Sequence, residues 1–112
     1  MMQLFHDVSM QCSKITTQKY STSFCSAIRL LHKDLQTPIY NIYGFVRFAD
    51  EIVDTFHDYN KGELLEEFKN ETYNAIKRKI SLNPILQSFQ LSVNEYQIDT
   101  QLIDAFFKSM EY

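Results

Sequence analysis

The chain contains little glycine or proline and has no long apolar run. Two residues of each type occur among 112, so the turn chemistry that a many-stranded fold needs is missing. No uninterrupted apolar stretch approaches the roughly 20 residues of a membrane span. The first residues also lack the basic region and apolar core of a signal peptide. We therefore expect a cytoplasmic helical protein, with contact to a membrane surface left open.

Basic residues are scarce as well. Eleven Lys and Arg stand against fourteen Asp and Glu, for a net charge of −3. They are scattered apart from one short cluster, Lys77–Lys79, so the sequence predicts no nucleic-acid partner. Cys12 and Cys25 lie outside any CxxC or Cys/His ligand pattern, which favours two reduced thiols.

Apolar and aromatic residues are plentiful, and they recur at helical spacing. Hydrophobic residues make up 45% of the chain, too many for a disordered segment. N-terminal capping signals precede the apolar stripes at Thr37-Pro38, Asn60, Asn83-Pro84 and Asp99. The class is therefore all-α, with helices near 3–17, 21–33, 38–57, 61–80, 84–96 and 100–112. The predicted stripes of the last three helices are Leu64, Leu65, Phe68, Thr72, Ala75, Ile76 and Ile80; Ile85, Leu86, Phe89 and Val93; and Leu102, Ile103, Phe106, Phe107 and Met110.

The segment 39–56 is apolar nearly all the way round, which is typical of a helix in the interior of a larger bundle. Five flanking helices of this size would hardly cover it. The last predicted helix reaches Tyr112 without a glycine or any other stop signal. Both features lead us to expect a truncated bundle whose natural chain continues.

The same segment carries Arg47, Asp50, Glu51 and Asp54. Asp50 and Asp54 are four residues apart, so their carboxylates project from one helix face about one turn apart. Like charges on a buried helix repel each other and are costly to desolvate. A Mg²⁺ ion would remove both problems, and an arginine would add donors for a phosphate. Spacing and context alone leave two interpretations open, a site for a metal-bound diphosphate or a salt-bridged structural cluster.

Two segments of the chain resemble motifs of the squalene and phytoene synthases. The run from Tyr40 to Asp54 closely resembles their first aspartate-rich motif, and the segment 20–24, Tyr-Ser-Thr-Ser-Phe, resembles their Ser-x-Ser-Phe segment. The order and spacing of the two motifs agree, and the resemblance extends loosely over nearly the whole chain. It implies a class I terpenoid-synthase-like bundle with a central cavity, of which residues 1–112 form the amino-terminal part of a single domain.

The resemblance also implies an activity and a set of site residues. Such enzymes join two allylic diphosphates, farnesyl or geranylgeranyl, head to head with the help of Mg²⁺. The implied metal ligands are Asp50 and Asp54, which count with Arg47 as catalytic. The implied substrate-binding residues are Arg47 at the diphosphate oxygens, Ser21 and Ser23 as hydroxyls near a diphosphate, and Phe24 and Tyr43 as aromatic residues lining the cavity.

Several of these residues have ordinary structural interpretations too. Ser21 and Ser23 suit a helix cap, a role compatible with ligand contact. Phe24 and Tyr43 suit a hydrophobic core. His57 follows Asp54 by three residues but has no soft partner at ligand spacing, so we interpret it as an ordinary helix-end histidine.

The family's site also needs a second aspartate-bearing helix downstream. The aspartates after Asp54 are Asp58, Asp99 and Asp104, and no two of them are four residues apart. We therefore expect the 112-residue chain to be inactive by itself and the full-length protein to be a prenyltransferase.

Two other functions stay under consideration. A non-catalytic helical scaffold or assembly protein derived from the same family would not need to keep the repulsive pair Asp50 and Asp54. A head-to-tail chain elongase usually has more adjacent aspartates than the Asp50-Glu51 found here. The sequence of residues 48–51, Phe-Ala-Asp-Glu, favours a phytoene-type over a squalene-type product.

Overall fold

The fold is a bundle of helices, as the sequence predicts. The structure is a computed structural model that describes residues 1–111, and over these residues it contains six helices and no strand. The helices are α1 (Met2–Tyr20), α2 (Thr22–Ile28), α3 (Lys33–Asp54), α4 (Lys61–Arg78), α5 (Pro84–Tyr96) and α6 (Thr100–Met110). Within the same residues, none of the helices is both long enough and apolar enough to span a bilayer.

The capping signals of the second half of the chain are confirmed. The side chains of Asn60, Asn83 and Asp99 each accept a hydrogen bond from a backbone N–H in the first turn of α4, α5 and α6, respectively. These bonds satisfy donors that a helix start otherwise leaves without a partner. As a result, the predicted bounds of α5 agree with the structure, and α4 and α6 begin within one residue of the prediction.

The predicted start of α3 is wrong. The helix begins at Lys33, where the His32 Nδ1 atom accepts the Asp34 N–H at 3.1 Å, and Pro38 lies inside the helix instead of at its first position. Proline has a helical φ angle and loses a single intrahelical hydrogen bond at this site, so one early proline need not end the helix. Thr37 is therefore not the N-cap.

Other helix ends differ for local reasons. The chain leaves α2 at Ile28, well before the predicted residue 33, because residues 29–32 form a tight turn whose last member caps α3. Helix α4 ends two residues early because Lys79 adopts a left-handed conformation with φ of 59°. Helix α1 runs three residues beyond its predicted end, to Tyr20. Helix α6 ends at Met110 with Glu111 as its C-cap, before the predicted end at residue 112, which itself lies outside the described residues.

The hydrophobic core centres on Phe45 of α3. Its ring stacks on Phe89 of α5 with the centroids 3.7 Å apart. The rings of Phe68, Phe106 and Phe107 surround it at 5.4, 5.4 and 5.8 Å. One aromatic residue thus ties α3 to α4, α5 and α6, which fixes the orientation of α3 and of any side chain it carries.

The five other helices leave part of α3 uncovered, as the sequence predicts. Its buried residues lie on one side, and Phe48 is 37% exposed. The most enclosed helix is α5, in which every residue from Ile85 to Gln90 is buried. In α6, the predicted core residue Leu102 is 67% exposed, because the face of the helix that carries Ile103, Phe106 and Phe107 packs against the core instead.

A buried polar seam joins α1, α3 and α5. The Ser13 and Ser88 hydroxyls share a hydrogen bond, and the Asn41 Nδ2 group donates to the Ser92 Oγ atom at 3.0 Å. Gly44 faces Ser13 so closely that an added Cβ would lie 2.9 Å from its Cα, Cβ and Oγ atoms. Small residues therefore let the α1 and α3 backbones approach each other at this point.

We predict that Gly44→Ala destabilises the chain by about 1–3 kcal/mol because its methyl group would overlap the Ser13 backbone. The matched control is Gly62→Ala in the first turn of α4, where the nearest contact would be 3.7 Å away. The control should be neutral or gain up to about 1 kcal/mol in helix propensity. Urea unfolding of both variants measures the difference, and equal stabilisation by the two would contradict the close approach.

Candidate functional site

The segment 20–24 forms an elbow between α1 and α2. Ser21 is extended, with φ of −151° and ψ of 93°. Its N–H donates to the Thr17 carbonyl at 2.9 Å, which closes α1, and its Oγ atom accepts the Phe24 N–H at 3.1 Å, which opens α2. Ser21 is thus a helix cap, as one interpretation of the sequence has it, and Ser23 lies exposed in the first turn of α2.

The elbow contacts α3 at two points one helical turn apart. The Tyr20 ring lies against the Arg47 guanidinium, with Cζ 4.4 Å from the ring centroid. The Phe24 and Tyr43 rings meet with their centroids 4.5 Å apart. This second pair lies outside the core around Phe45, so the core interpretation of Phe24 and Tyr43 is wrong. The two sequence motifs therefore meet in space along one face of α3.

The three nitrogen atoms of the Arg47 guanidinium differ in their hydrogen-bond partners. Nη2 donates to the Glu51 Oε2 atom at 2.9 Å, whereas Nη1 lies 4.0 Å from the Asp50 Oδ2 atom, too far for a hydrogen bond. Nε is buried and has no hydrogen-bond partner among the described residues. Burial alone would lower the pKa of Arg47, but the hydrogen bond and charge of Glu51, with Asp50 adding to them, raise it.

The acidic residues of α3 differ in how well they are compensated. Hydrogen bonds with Thr55, Tyr20 and Arg47 lower the pKa of Glu51, so this carboxylate is well satisfied. Burial and the negative charge of Asp54 raise the pKa of Asp50, although Arg47 opposes them. Asp54 is exposed at the end of the helix. The pair Asp50 and Asp54 therefore carries negative charge that the protein compensates only in part.

The position of the acidic residues in the helix adds to this charge. Three carboxylates lie within residues 50–54, and the last turn of α3 has no basic residue. The C-terminal end of a helix already carries a partial negative charge, so cations are favoured there. Lys61 of α4 supplies one ammonium group, whose Nζ atom donates to the Val53 carbonyl at 2.8 Å and lies 3.0 Å from the His57 Nδ1 atom. His57 lies in the turn after α3, which ends at Asp54 instead of the predicted residue 57, so it is not at the end of a helix.

The donor set around Asp50 and Asp54 fits a hard cation. Mg²⁺ is commonly held by one or two carboxylates, with water and phosphate oxygens completing its shell. The half-buried Asp50 carboxylate beside Asp54 offers such a pair of oxygen ligands. No group of three or more His, Cys, Asp or Glu side chains that could hold a metal occurs in the described part of the chain. The remaining ligands of a bound ion would therefore come from solvent and substrate.

The best-formed cavity lies elsewhere. It measures about 230 Å³ and is lined by residues of α4 and α6 together with Val53, and it includes neither Asp50 nor Asp54. The two carboxylates stand instead on the partly open face of α3.

The aspartates that follow α3 contribute to structure. Asp99 caps α6, and Asp104 accepts the Tyr73 hydroxyl proton in a hydrogen bond. Burial together with this bond raises the pKa of Tyr73 to about 12. Neither carboxylate belongs to the α3 face.

Arg47, Asp50, Glu51 and Asp54 thus form one charged face of α3 beside the elbow. Comparison with known proteins assigns the chain to a family. The family model for squalene/phytoene synthase matches residues 17–112, a range that includes the elbow and the whole of α3. The chain belongs to the squalene/phytoene synthase family. Comparisons with curated proteins and with solved structures give no significant match.

Family membership carries a general chemistry. The family condenses isoprenyl diphosphates head to head, and its members generally use a divalent metal to ionise the diphosphate. The motifs alone indicate no role for Tyr20 or Glu51, although both residues lie inside them. The spacing of four residues between Arg47 and Glu51 predicts their ion pair, whereas the contact of Tyr20 with Arg47 depends on the packing of α1 on α3.

We predict that Asp50→Asn stabilises the folded chain at neutral pH. The pKa of Asp50 is raised in the folded state, so ionising this group favours unfolding. Removing an i,i+4 like-charge pair is worth about 0.2–0.5 kcal/mol, or a rise in melting temperature of about 1–3 °C.

The pH dependence of this gain distinguishes charge from packing. The gain should be full above the raised pKa of Asp50 and should disappear as the pH falls below its ordinary value of 3.8. Thermal unfolding monitored by circular dichroism at several pH values measures it. Asp58→Asn, an exposed change in the turn after α3, is the control, and an equal gain there would contradict the explanation.

Proposed function

We propose that the α3 face and the elbow form the diphosphate-binding part of a head-to-head prenyl synthase site. The observation that carries this proposal is the common position of Arg47, Asp50 and Asp54 along the face of α3 that the elbow contacts. The substrates would be farnesyl or geranylgeranyl diphosphate, and residues 1–112 would belong to one synthase domain. A phytoene-type product fits the sequence of residues 48–51 better than a squalene-type product.

The polar residues have distinct roles in this proposal. Asp50 and Asp54 would hold Mg²⁺, which when bound would stabilise the negative charge on a departing diphosphate. Arg47 would donate to the diphosphate oxygens in the same position, as a planar cation suited to phosphate. Ser23 is exposed and free to donate to phosphate. Ser21 accepts the Phe24 N–H but keeps its own O–H for a second hydrogen bond.

The aromatic pair of the elbow has a different role. Phe24 and Tyr43 pack against each other one turn from Arg47, with Phe24 37% exposed. Ionisation of an allylic diphosphate leaves a carbocation, which an aromatic face stabilises without reacting as water would. We propose that this pair borders the prenyl chain next to the diphosphate.

We expect the chain to bind inorganic pyrophosphate in a Mg²⁺-dependent manner. Asp50→Asn and Asp54→Asn should each weaken binding by about tenfold or more, because each removes one of two carboxylate ligands. Isothermal titration calorimetry with and without Mg²⁺ measures the effect, and Asp58→Asn serves as the control for loss of one aspartate charge. Affinity that is indifferent to all three changes would favour the scaffold function instead.

We also expect residues 1–112 alone to form no prenyl product from geranylgeranyl diphosphate and Mg²⁺. The sequence contains one i,i+4 aspartate pair in an apolar helix, and the later carboxylates Asp99 and Asp104 serve structure. One pair holds one side of a site that has to bind two diphosphates. Mass spectrometry of an organic extract checks this, and any Mg²⁺-dependent condensation product would contradict it.

A further inference from the structure

Tyr20 has no role in the proposed site described above, yet its ring lies against the arginine of that site. It is the last residue of α1, and its ring centroid lies 4.4 Å from the Arg47 Cζ atom. The side chain remains 52% exposed, so it does not belong to the hydrophobic core. An aromatic face at this distance attracts a guanidinium and restricts its movement.

The backbone beneath Tyr20 is held firmly. Thr17, one turn earlier, is fully buried, and its hydroxyl donates to the Ser13 carbonyl at 2.9 Å. Ser21, the next residue, is fixed by its hydrogen bonds to both helices of the elbow. Ser13 packs directly on Gly44 of α3. The Tyr20 ring is thus attached to a part of α1 whose position relative to α3 is set by packing.

The contacts of Arg47 leave one donor group pointing toward the acidic pair. Nη2 is taken by Glu51, and Nε is buried. Nη1 makes no hydrogen bond and lies on the side of Asp50, 4.0 Å from its Oδ2 atom. A phosphate oxygen bound beside Asp50 would meet this donor first.

We propose that Tyr20 is a positioning residue for the diphosphate-binding arginine. Its ring and the Glu51 carboxylate together hold the Arg47 guanidinium in one orientation, with Nη1 presented to an anion bound next to Asp50. A free arginine side chain has many rotamers, so holding it in place lowers the entropy lost on binding. The inference rests on the proposed function, because the anion in question is the diphosphate bound there.

The orientation of Arg47 can be tested without any ligand. The exchange rate of the Arg47 Nε–H proton with water, measured by ¹⁵N nuclear magnetic resonance, reports whether the guanidinium stays buried. Tyr20→Leu should speed this exchange by about tenfold or more, because the covering ring is lost. Tyr20→Phe keeps the covering ring and removes only the hydroxyl that hydrogen-bonds Glu51, so it should speed the exchange much less than Tyr20→Leu does. Tyr96→Leu is the matched control, since Tyr96 is also the last residue of its helix and is 48% exposed.

The effect on binding is measured by titrating the same variants with Mg²⁺ and inorganic pyrophosphate. Tyr20→Leu should weaken binding by about three- to tenfold, in the range of a lost cation–π contact, and Tyr20→Phe should stay within about twofold of the unmodified chain. In an Arg47→Met background the change from Tyr20 to Leu should have no further effect, because the residue it positions is gone.

The outcomes separate this inference from the function on which it rests. A wild-type chain that binds no Mg²⁺ and pyrophosphate overturns the proposed function, and this inference with it. Normal wild-type binding with unchanged Nε–H exchange in Tyr20→Leu overturns the inference alone. Faster Nε–H exchange in Tyr20→Leu without any loss of affinity for pyrophosphate also overturns the inference. The same holds if Tyr20→Leu lowers the affinity as much in the Arg47→Met background as in the unmodified chain.

Discussion

Helices α1 and α3 approach each other so closely at Ser13 and Gly44 that no Cβ atom fits on the glycine. The rest of the site depends on this contact. It fixes α1 against α3, and the elbow that follows α1 then carries Tyr20 to Arg47 and Phe24 to Tyr43. On the other side of α3, the ring of Phe45 locks the helix to α4, α5 and α6. The site face is therefore held between a polar seam and an aromatic core, and neither of these takes part in the chemistry.

The carboxylates at the end of α3 are less well compensated than the polar groups elsewhere in the fold. Helix starts are capped, and most buried polar groups of the seam are paired. At the end of α3, by comparison, Asp50 and Asp54 repel each other where the helix dipole is already negative. Arg47 hydrogen-bonds Glu51 and lies 4.0 Å from Asp50, so it offsets their charge only in part. Local choices that lower stability in an otherwise consistent structure are typical of functional sites, where a ligand supplies the missing charge.

Much of the fold follows from local signals in the sequence, and the failures have physical causes. Asn83-Pro84 both caps and starts α5, so its bounds were predictable to the residue. The same type of signal failed at Thr37-Pro38, because a competing cap at His32 starts α3 earlier and a helix tolerates one early proline. The buried polar seam was also missed. Its serines and amide side chains look solvent-exposed when each helix is considered alone, and they become buried only because partners on a neighbouring helix satisfy them.

In the candidate site, too, some relations between residues are predictable from the sequence and others are not. Residues of α3 are related by helical spacing, so the common face of Arg47, Asp50 and Asp54 was predictable from sequence. The relation between Tyr20 and Arg47 was not, since it depends on where the elbow breaks and on how closely α1 packs. This distinction matters for the chemistry. Two carboxylates need only the right spacing on one helix to lie side by side, whereas an arginine held at a defined angle needs support from a second element. In the inference proposed above that support would come from Tyr20, the first residue of the segment 20–24, whose ring lies against Arg47.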